Sequence, residues 1–160
     1  GDVVEIDDEG YVRIVDRKKS LLVLSNGKNV APVPIEEALK SISEISQVLV
    51  LGDNEKFVSA LIVPDFDSLG RVFPELKSID ARALFCESEK GMKYFESLIK
   101  STLQSFSNYE QVKKIVLLSK EWTIESEELT PTLKPKRKTI LKNYEKKILM
   151  IYGKKEYTNL

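Results

Sequence analysis

The side chains of this sequence that could do chemistry are lysines, arginines and carboxylates, which act through charge. The 160 residues include no histidine and a single cysteine, Cys86. These counts exclude an imidazole base, an intramolecular disulfide and a multi-cysteine zinc site. No cluster of acids has metal-ligand spacing, so we expect no metal site. The Gly27-Lys28 pair is not a phosphate loop, because Leu22 and Asn29 stand where that motif needs glycine and serine or threonine.

Two segments bring charged side chains together at unusual spacing. The first leads from Gly1 through the charged run at residues 16–19 and the turn at residues 25–28 to Pro34, which is well placed to open a helix. The second, residues 129–138, presents lysines between prolines. A lysine on such a loop can meet a phosphate with an attraction of about 4 kcal/mol at ~4 Å and an effective dielectric constant of ~20. Spacing alone gives no complete active site.

Strands and helices must position these segments, and the hydrophobic patterns predict an α+β fold. Residues 3–15 read as a β-hairpin whose turn ends at Gly10. Residues 47–51 and 57–63 are nearly continuous apolar runs, typical of strands covered on both faces. Helical spacing follows within residues 67–106, then a strand at 112–118 and a helix at 137–152. We predict a small β-hairpin followed by a central, mainly antiparallel three-stranded sheet packed with helices.

Basic and acidic side chains balance at 25 each, but they are unevenly distributed. Residues 134–155 hold nine basic side chains and one acidic side chain, a net charge of +8. A stand-alone module that binds an anionic membrane or nucleic acid is therefore an open alternative. Within that alternative a nucleic-acid partner is not expected, because the chain lacks the interleaved aromatic residues of proteins that bind single-stranded nucleic acid. No apolar run reaches the ~18 residues of a membrane span.

Both segments resemble the C-terminal lid domain of the adenylate-forming (AMP-binding) enzymes, most closely the long-chain fatty acyl-CoA synthetases. Residues 1–18 look like the family's Gly-Asp element and hinge motif, residues 25–36 like its continuation, and residues 130–134 like its lysine loop. The resemblance implies an acid–thiol ligase. It also implies a two-step reaction, in which a fatty acid carboxylate attacks the α-phosphate of ATP to give acyl-adenylate and pyrophosphate, and the thiol of coenzyme A then displaces AMP.

The resemblance also implies a division into domains. Residues 1–16 are expected to be the end of the adenylating core, with its hairpin and hinge, and residues 17–160 the mobile lid, with a helical insertion at about 65–110. A preceding N-terminal domain is expected to bind most of ATP, Mg²⁺ and the fatty acid, so this chain alone is expected to be inactive. A cytoplasmic enzyme is implied, with peripheral membrane attachment left open. The alternative is the lid of a fatty acyl-AMP ligase that serves a carrier protein.

Four residues near the hinge match functional positions of this family. Asp2 matches the acid that binds the ribose hydroxyls, and a carboxylate can accept from both of them. Arg17 matches the arginine near the adenylate, where a permanently charged fork suits ribose and phosphate oxygens. Asp16 is the expected pivot of the lid, with Lys18 as its alternative.

Lys134 matches the lid lysine that bridges the acyl carboxylate and the phosphate during adenylation, a positioning and electrostatic role. Lys136 and Lys138 lie close enough in sequence to compete for it. The family pattern has glycine immediately before this lysine, whereas this chain has Leu133.

A second loop is assigned by the resemblance to the thioester-forming step. Ser25, Gly27 and Lys28 match the loop that packs beside the pantetheine channel of coenzyme A. Glycine is expected there because it lets the backbone approach a ligand closely. Lys28 is the candidate for a contact with a coenzyme A phosphate.

Overall fold

Two antiparallel hairpins begin the chain in the computed structural model, which describes residues 2–6, 8–17 and 20–154. The first pairs β1 (Asp2–Ile6) with β2 (Val12–Arg17) and confirms the predicted hairpin. The second pairs the two-residue strands β3 (Leu22–Val23) and β4 (Asn29–Val30) around the turn at residues 25–28. Its Asn-Gly sequence favours a tight turn, because both residues accept a positive φ.

Helix α1 (Pro32–Lys40) follows the second hairpin directly. The helix begins two residues before the expected start at Pro34. Pro32 suits the first turn of a helix, where its missing N–H costs no hydrogen bond. Ile35 and Leu39 are completely buried, so this helix packs into the core through an apolar face.

A three-stranded sheet with β6 in the middle lies at the centre of the fold. Strands β5 (Ile45–Leu51) and β6 (Val58–Pro64) are antiparallel, and β7 (Val112–Leu117) pairs in parallel with the other side of β6. The parallel pairing needs a long crossover, since a hairpin joins only antiparallel strands. The crossover contains the following helices: α2 (Phe66–Leu69), α3 (Ile79–Glu87), α4 (Glu89–Thr102) and a 3₁₀ helix (Asn108–Glu110).

Both faces of the sheet are covered, and every residue of β6 is buried. One face packs against α1, α3 and α4 and uses alternate strand residues: Val48, Val50, Val58, Ala60, Ile62, Ile115 and Leu117. The other face packs against Trp122, Leu129 and Ile140, and its residues are Leu49, Leu51, Leu61, Val63, Val116 and Leu118. Together with the hairpin and the crossover helices, this arrangement confirms the predicted α+β fold.

The last helical region is divided in two, whereas its apolar spacing predicts one helix over residues 137–152. Helix α5 covers Arg137–Asn143 and α6 covers Glu145–Ile151. At Tyr144, between them, φ is −112° and ψ is 19°, outside the helical range. Burial raises the pKa of the Tyr144 hydroxyl to about 12, and the neighbouring Glu128 carboxylate adds to this effect. The helix therefore breaks at a tyrosine that packs beside a buried acid.

Helix α4 shows how tightly the crossover packs. It has 14 residues. No helix in the described ranges is long and apolar enough to cross a membrane.

The buried face of α4 packs against the sheet and α3. Phe95 and Ile99 of α4 lie in the core. Gly91, in its first turn, lies so close to α3 that an added Cβ atom would overlap the carbonyl oxygen of Phe85. Only glycine fits this position without moving backbone.

We expect Gly91→Ala to lower the free energy of unfolding of the chain by about 1–3 kcal/mol, because the extra methyl group overpacks the α3–α4 contact. Intrinsic helix propensity alone predicts the opposite sign, a gain of about 1 kcal/mol. Urea unfolding measures the difference. Ser97→Ala, at an exposed position of the same helix, is the control and is expected to be neutral or slightly stabilising. Equal stabilisation of both variants would contradict the observed packing.

Candidate functional site

The predicted lysine loop is a short, closed hairpin at Thr130–Lys134. The Thr130 N–H donates to the Lys134 carbonyl at 2.8 Å, and the Leu133 N–H donates to the Thr130 carbonyl at 2.8 Å. The Lys134 N–H donates to the Thr130 hydroxyl oxygen at 3.0 Å. At the base, Leu129 and Pro135 form an antiparallel bridge. The hydrogen bonds fix the backbone at Lys134, while its side chain is exposed to solvent.

Leu133 has a φ of +64°, in the left-handed region that residues other than glycine adopt only at a cost in conformational free energy. A three-residue hairpin loop of this kind commonly ends in a left-handed residue, which explains the preference for glycine there. Leu133 is 66% exposed, so little packing compensates for the backbone conformation. Leucine at this position therefore replaces the glycine of the family pattern, while the backbone keeps the conformation that favours glycine.

The second predicted loop, Leu24–Lys28, has the same hydrogen-bond pattern. The Leu24 N–H donates to the Lys28 carbonyl at 2.9 Å, and the Gly27 N–H donates to the Leu24 carbonyl at 2.8 Å. Gly27 has a φ of +85°. In both hairpins a lysine, Lys28 or Lys134, comes immediately after the left-handed residue. The two loops assigned to different reaction steps thus present their lysines from equivalent backbone positions.

The Leu24–Lys28 hairpin rests on the connection between β5 and β6. The Ser25 N–H donates to the Glu55 carbonyl at 2.9 Å, and the Val23 N–H donates to the Asp53 carboxylate at 3.1 Å. The Lys28 ammonium lies 4.6 Å from the centre of the Tyr109 ring, a cation–π contact with the end of the crossover. Tyr109 is absent from the predicted site residues, because no local spacing links residues so far apart in the chain.

Glu36 and Arg137 meet at the outer edge of β5, beside Val50. The Val50 N–H donates to the Glu36 carboxylate at 3.0 Å, and the Arg137 guanidinium donates to the Val50 carbonyl. The nearest guanidinium nitrogen of Arg137 is 3.9 Å from the Glu36 carboxylate. The two charged groups therefore satisfy both polar groups of one edge residue. The sequence pattern indicates Glu36 only as part of a helix start and Arg137 only as part of a basic segment.

Lys134 differs from its two competitors in its local setting. All three lysines are exposed, but only Lys134 lies within the hairpin. Lys136 follows the hairpin and donates its N–H to the Glu128 carbonyl at 2.8 Å. Lys138 lies within α5. The geometry therefore favours Lys134 as the residue held at a defined projecting position.

The backbone of the first hairpin pairs residues assigned to the nucleotide and the hinge. Asp2 on β1 is paired with Arg17 on β2, and Val3 is paired with Asp16. The first hairpin thus brings the two candidate nucleotide-binding residues opposite each other, beside the candidate pivot. Lys18 lies outside the described residues.

In the part of the chain that the structure covers, no three acidic, cysteine or histidine side chains are grouped to hold a metal ion.

Comparisons with known proteins find relatives over nearly the whole chain. A family model described as the AMP-binding enzyme C-terminal domain matches residues 19–156. The long-chain-fatty-acid–CoA ligase FadD15 of Mycobacterium tuberculosis is 32% identical over 156 residues, which are 96% of this chain and 26% of that protein. Long chain acyl-CoA synthetase 2 of Arabidopsis thaliana is 30% identical over 158 residues, with 96% and 24% covered. This chain thus spans about a quarter of the length of these relatives.

A solved structure shares the fold over nearly the whole chain. It is the adenylation domain of a carboxylate reductase from Mycobacterium chelonae, with a TM-score of 0.77 and 22% sequence identity. The match covers 96% of this chain and 22% of that one.

The two hairpins predict substitution effects of opposite sign. Gly27→Ala is expected to lower the free energy of unfolding by about 1–2 kcal/mol, because alanine is strained at this positive φ. A steric clash does not contribute, because an added Cβ atom meets no other atom within 4 Å. Leu133→Gly is expected to raise it by up to about 1 kcal/mol, because relief of strain exceeds the entropy cost of glycine. Thermal or urea unfolding gives both values. Leu133→Ala keeps the strained φ, so its free energy of unfolding should not rise. A rise equal to that of Leu133→Gly would show that relief of backbone strain is not the cause.

Proposed function

The chain belongs to the AMP-binding enzyme C-terminal domain family, and from this membership we propose that it is the mobile lid of an ATP-dependent long-chain fatty acid–CoA ligase. The names of the relatives favour this substrate class. The observation that carries the proposal is the Thr130–Lys134 hairpin, which holds its backbone by three hydrogen bonds and leaves the lysine side chain exposed. An exposed charge on a fixed loop is suited to a reactant bound by a neighbouring domain.

Lys134 acts in the first half-reaction. A carboxylate oxygen of the fatty acid forms a bond to the α-phosphorus of ATP, the bond to the bridging oxygen breaks, and pyrophosphate leaves. Both reactants are negatively charged and repel each other. The Lys134 ammonium lies between them, offsets that repulsion and aligns the attack, without transferring a proton.

The Leu24–Lys28 hairpin acts in the second half-reaction. The thiol of coenzyme A loses its proton to solvent, its sulfur bonds to the acyl carbon, the bond between that carbon and the phosphate oxygen breaks, and AMP leaves with the electron pair. Ser25 and Gly27 form the wall beside the pantetheine chain, where glycine allows close backbone approach. Lys28 contacts a phosphate of coenzyme A, and its position against Tyr109 supports a directed role for this side chain.

The first hairpin serves as nucleotide contact and hinge. Asp2 binds the ribose hydroxyls and Arg17 the adenylate, and their pairing across β1 and β2 supports a common site. Asp16 or Lys18 is the pivot about which residues 17–160 rotate relative to residues 1–16 and the preceding domain. Rotation exchanges the Lys134 hairpin for the Leu24–Lys28 hairpin at the reaction centre.

The remaining partners are assigned by family membership. ATP, Mg²⁺ and the fatty acid bind mainly in an N-terminal adenylating domain, and coenzyme A is the second substrate. We place the enzyme in the cytoplasm, where a lone thiol stays reduced. Cys86 is buried, and burial raises its thiol pKa to about 11, so it packs as an apolar group. Peripheral membrane contact through exposed lysines of α5 and α6, such as Lys142 and Lys147, is compatible with this location.

The acceptor is tested with the lid joined to its adenylating domain. ATP, Mg²⁺, a long-chain fatty acid and coenzyme A are expected to yield the acyl-CoA thioester together with AMP and pyrophosphate. Mass spectrometry of the acyl products distinguishes the outcomes. Acyl-adenylate without thioester, transferred only when a carrier protein is supplied, would identify the acyl-AMP ligase instead. Absence of adenylate with any fatty acid would refute the proposed function.

Lys134→Ala in the complete enzyme is expected to slow acyl-adenylate formation by about 10²-fold or more, the size of effect seen when one electrostatic contact to a transition state is lost. Thioester formation from supplied acyl-adenylate should stay close to wild type, because this lysine is then away from the reaction centre. Pyrophosphate release and thioester formation measure the two steps separately.

Lys136→Ala and Lys138→Ala test the two competing lysines, and Lys120→Ala, at an exposed position outside the hairpin, is the neutral control. A larger adenylation defect in Lys136→Ala or Lys138→Ala would transfer the role to that residue. Equal loss of both half-reactions in Lys134→Ala would show that Lys134 has no specific role in adenylation.

A further inference from the structure

The edge of β5 at Val50 is closed by side chains that belong to two different segments. An edge strand presents N–H and C=O groups that the sheet does not pair, and natural proteins cover or block them. At Val50, Glu36 of α1 accepts from the N–H and Arg137 of α5 donates to the carbonyl. The Glu36 side chain is 17% exposed and that of Arg137 is 34% exposed, so solvent screens this ion pair only partly.

Arg137 also fixes the exit of the lysine hairpin. It is the first residue of α5 and comes three residues after Lys134. The entrance and base of the hairpin are held by the Leu129–Pro135 bridge and by the hydrogen bond from the Lys136 N–H to the Glu128 carbonyl. The contact with Val50 ties the segment immediately after the hairpin to the edge of the central sheet, and it adds to the packing of Ile140 against the face of the sheet. Without it, the hairpin keeps its internal hydrogen bonds and the packing of Leu129 and Ile140 against the sheet, while the segment between Pro135 and Ile140 loses its polar link to the edge of β5.

We propose that Arg137, oriented by Glu36 and held on the Val50 carbonyl, is a positioning residue for Lys134 in the adenylation step. This inference rests on the proposed function. Arg137 acts through the placement of the hairpin and does not touch the reactants. A displacement of a charged group by about 1 Å can cost ~10²-fold in rate, so a residue outside the reaction centre can have a large kinetic effect.

The test is a double-mutant cycle in the complete enzyme with Arg137→Ala, Lys134→Ala and the combined variant. Arg137→Ala is expected to slow acyl-adenylate formation by about 10- to 100-fold. Thioester formation from supplied acyl-adenylate should change little. In the Lys134→Ala background, Arg137→Ala should cause almost no further loss of adenylation, because the group it positions is already gone.

Conservative variants separate positioning from a general loss of stability. Arg137→Lys keeps a charged donor for the Val50 carbonyl and is expected to recover part of the adenylation rate. Glu36→Gln keeps an acceptor for the Val50 N–H and removes the charge that orients Arg137, so we expect a smaller defect confined to the same half-reaction. Arg71→Ala removes an exposed arginine elsewhere in the chain and is the matched control for loss of a guanidinium group.

The outcomes distinguish this inference from the proposed function. Equal loss of both half-reactions in Arg137→Ala and Arg137→Lys, or fully multiplicative effects of Arg137→Ala and Lys134→Ala, would refute positioning while Lys134 keeps its role. If Arg137→Ala does not fold, Arg137→Lys and Glu36→Gln provide the same comparison. Normal adenylation by Lys134→Ala would overturn the proposed function, and with it the reason for this inference.

Discussion

Complete burial of β6 is the constraint on which the rest of the structure depends. A strand with apolar side chains on both faces needs a covering layer on each side of the sheet. The crossover helices and α1 supply one layer, and the segment from Trp122 to α6 supplies the other. The Thr130–Lys134 hairpin lies between Leu129 and Ile140, which both belong to the second layer. The packing that buries β6 therefore also fixes where the hairpin projects from the domain.

The two lysine hairpins show how a small domain presents charges while using little of its core volume. Each closes on itself through the same two backbone hydrogen bonds and places a residue of positive φ before the lysine. Glycine meets that requirement at Gly27, while at Leu133 the surrounding hydrogen bonds hold leucine in the same conformation. A loop stabilised in this way keeps its lysine backbone fixed while the side chain stays in solvent. Such loops suit a lid that meets its substrates only after it closes.

Glu36 and Arg137 give the domain a link between its two candidate loops. Glu36 lies on the helix that follows the Leu24–Lys28 hairpin, and Arg137 begins the helix that follows the Thr130–Lys134 hairpin. Both reach the same residue of the edge strand, Val50. The lid can therefore rotate as a unit in the proposed mechanism, with the distance between its loops set by the sheet.

The amino-acid sequence by itself determined the local features of this protein. Apolar periodicity predicted the hairpin, the three strands of the sheet and the helical segments within residues 67–106, because this periodicity is a property of neighbouring residues. The Ser-Asn-Gly-Lys turn and the proline-bracketed lysine loop were also readable, since turn chemistry is local. Tertiary structure alone decided the parallel pairing of β7, the break at Tyr144, and the contacts of Lys28 with Tyr109 and of Arg137 with Val50. Those features join residues far apart in the chain, and no local spacing encodes which distant groups the packed core will bring together.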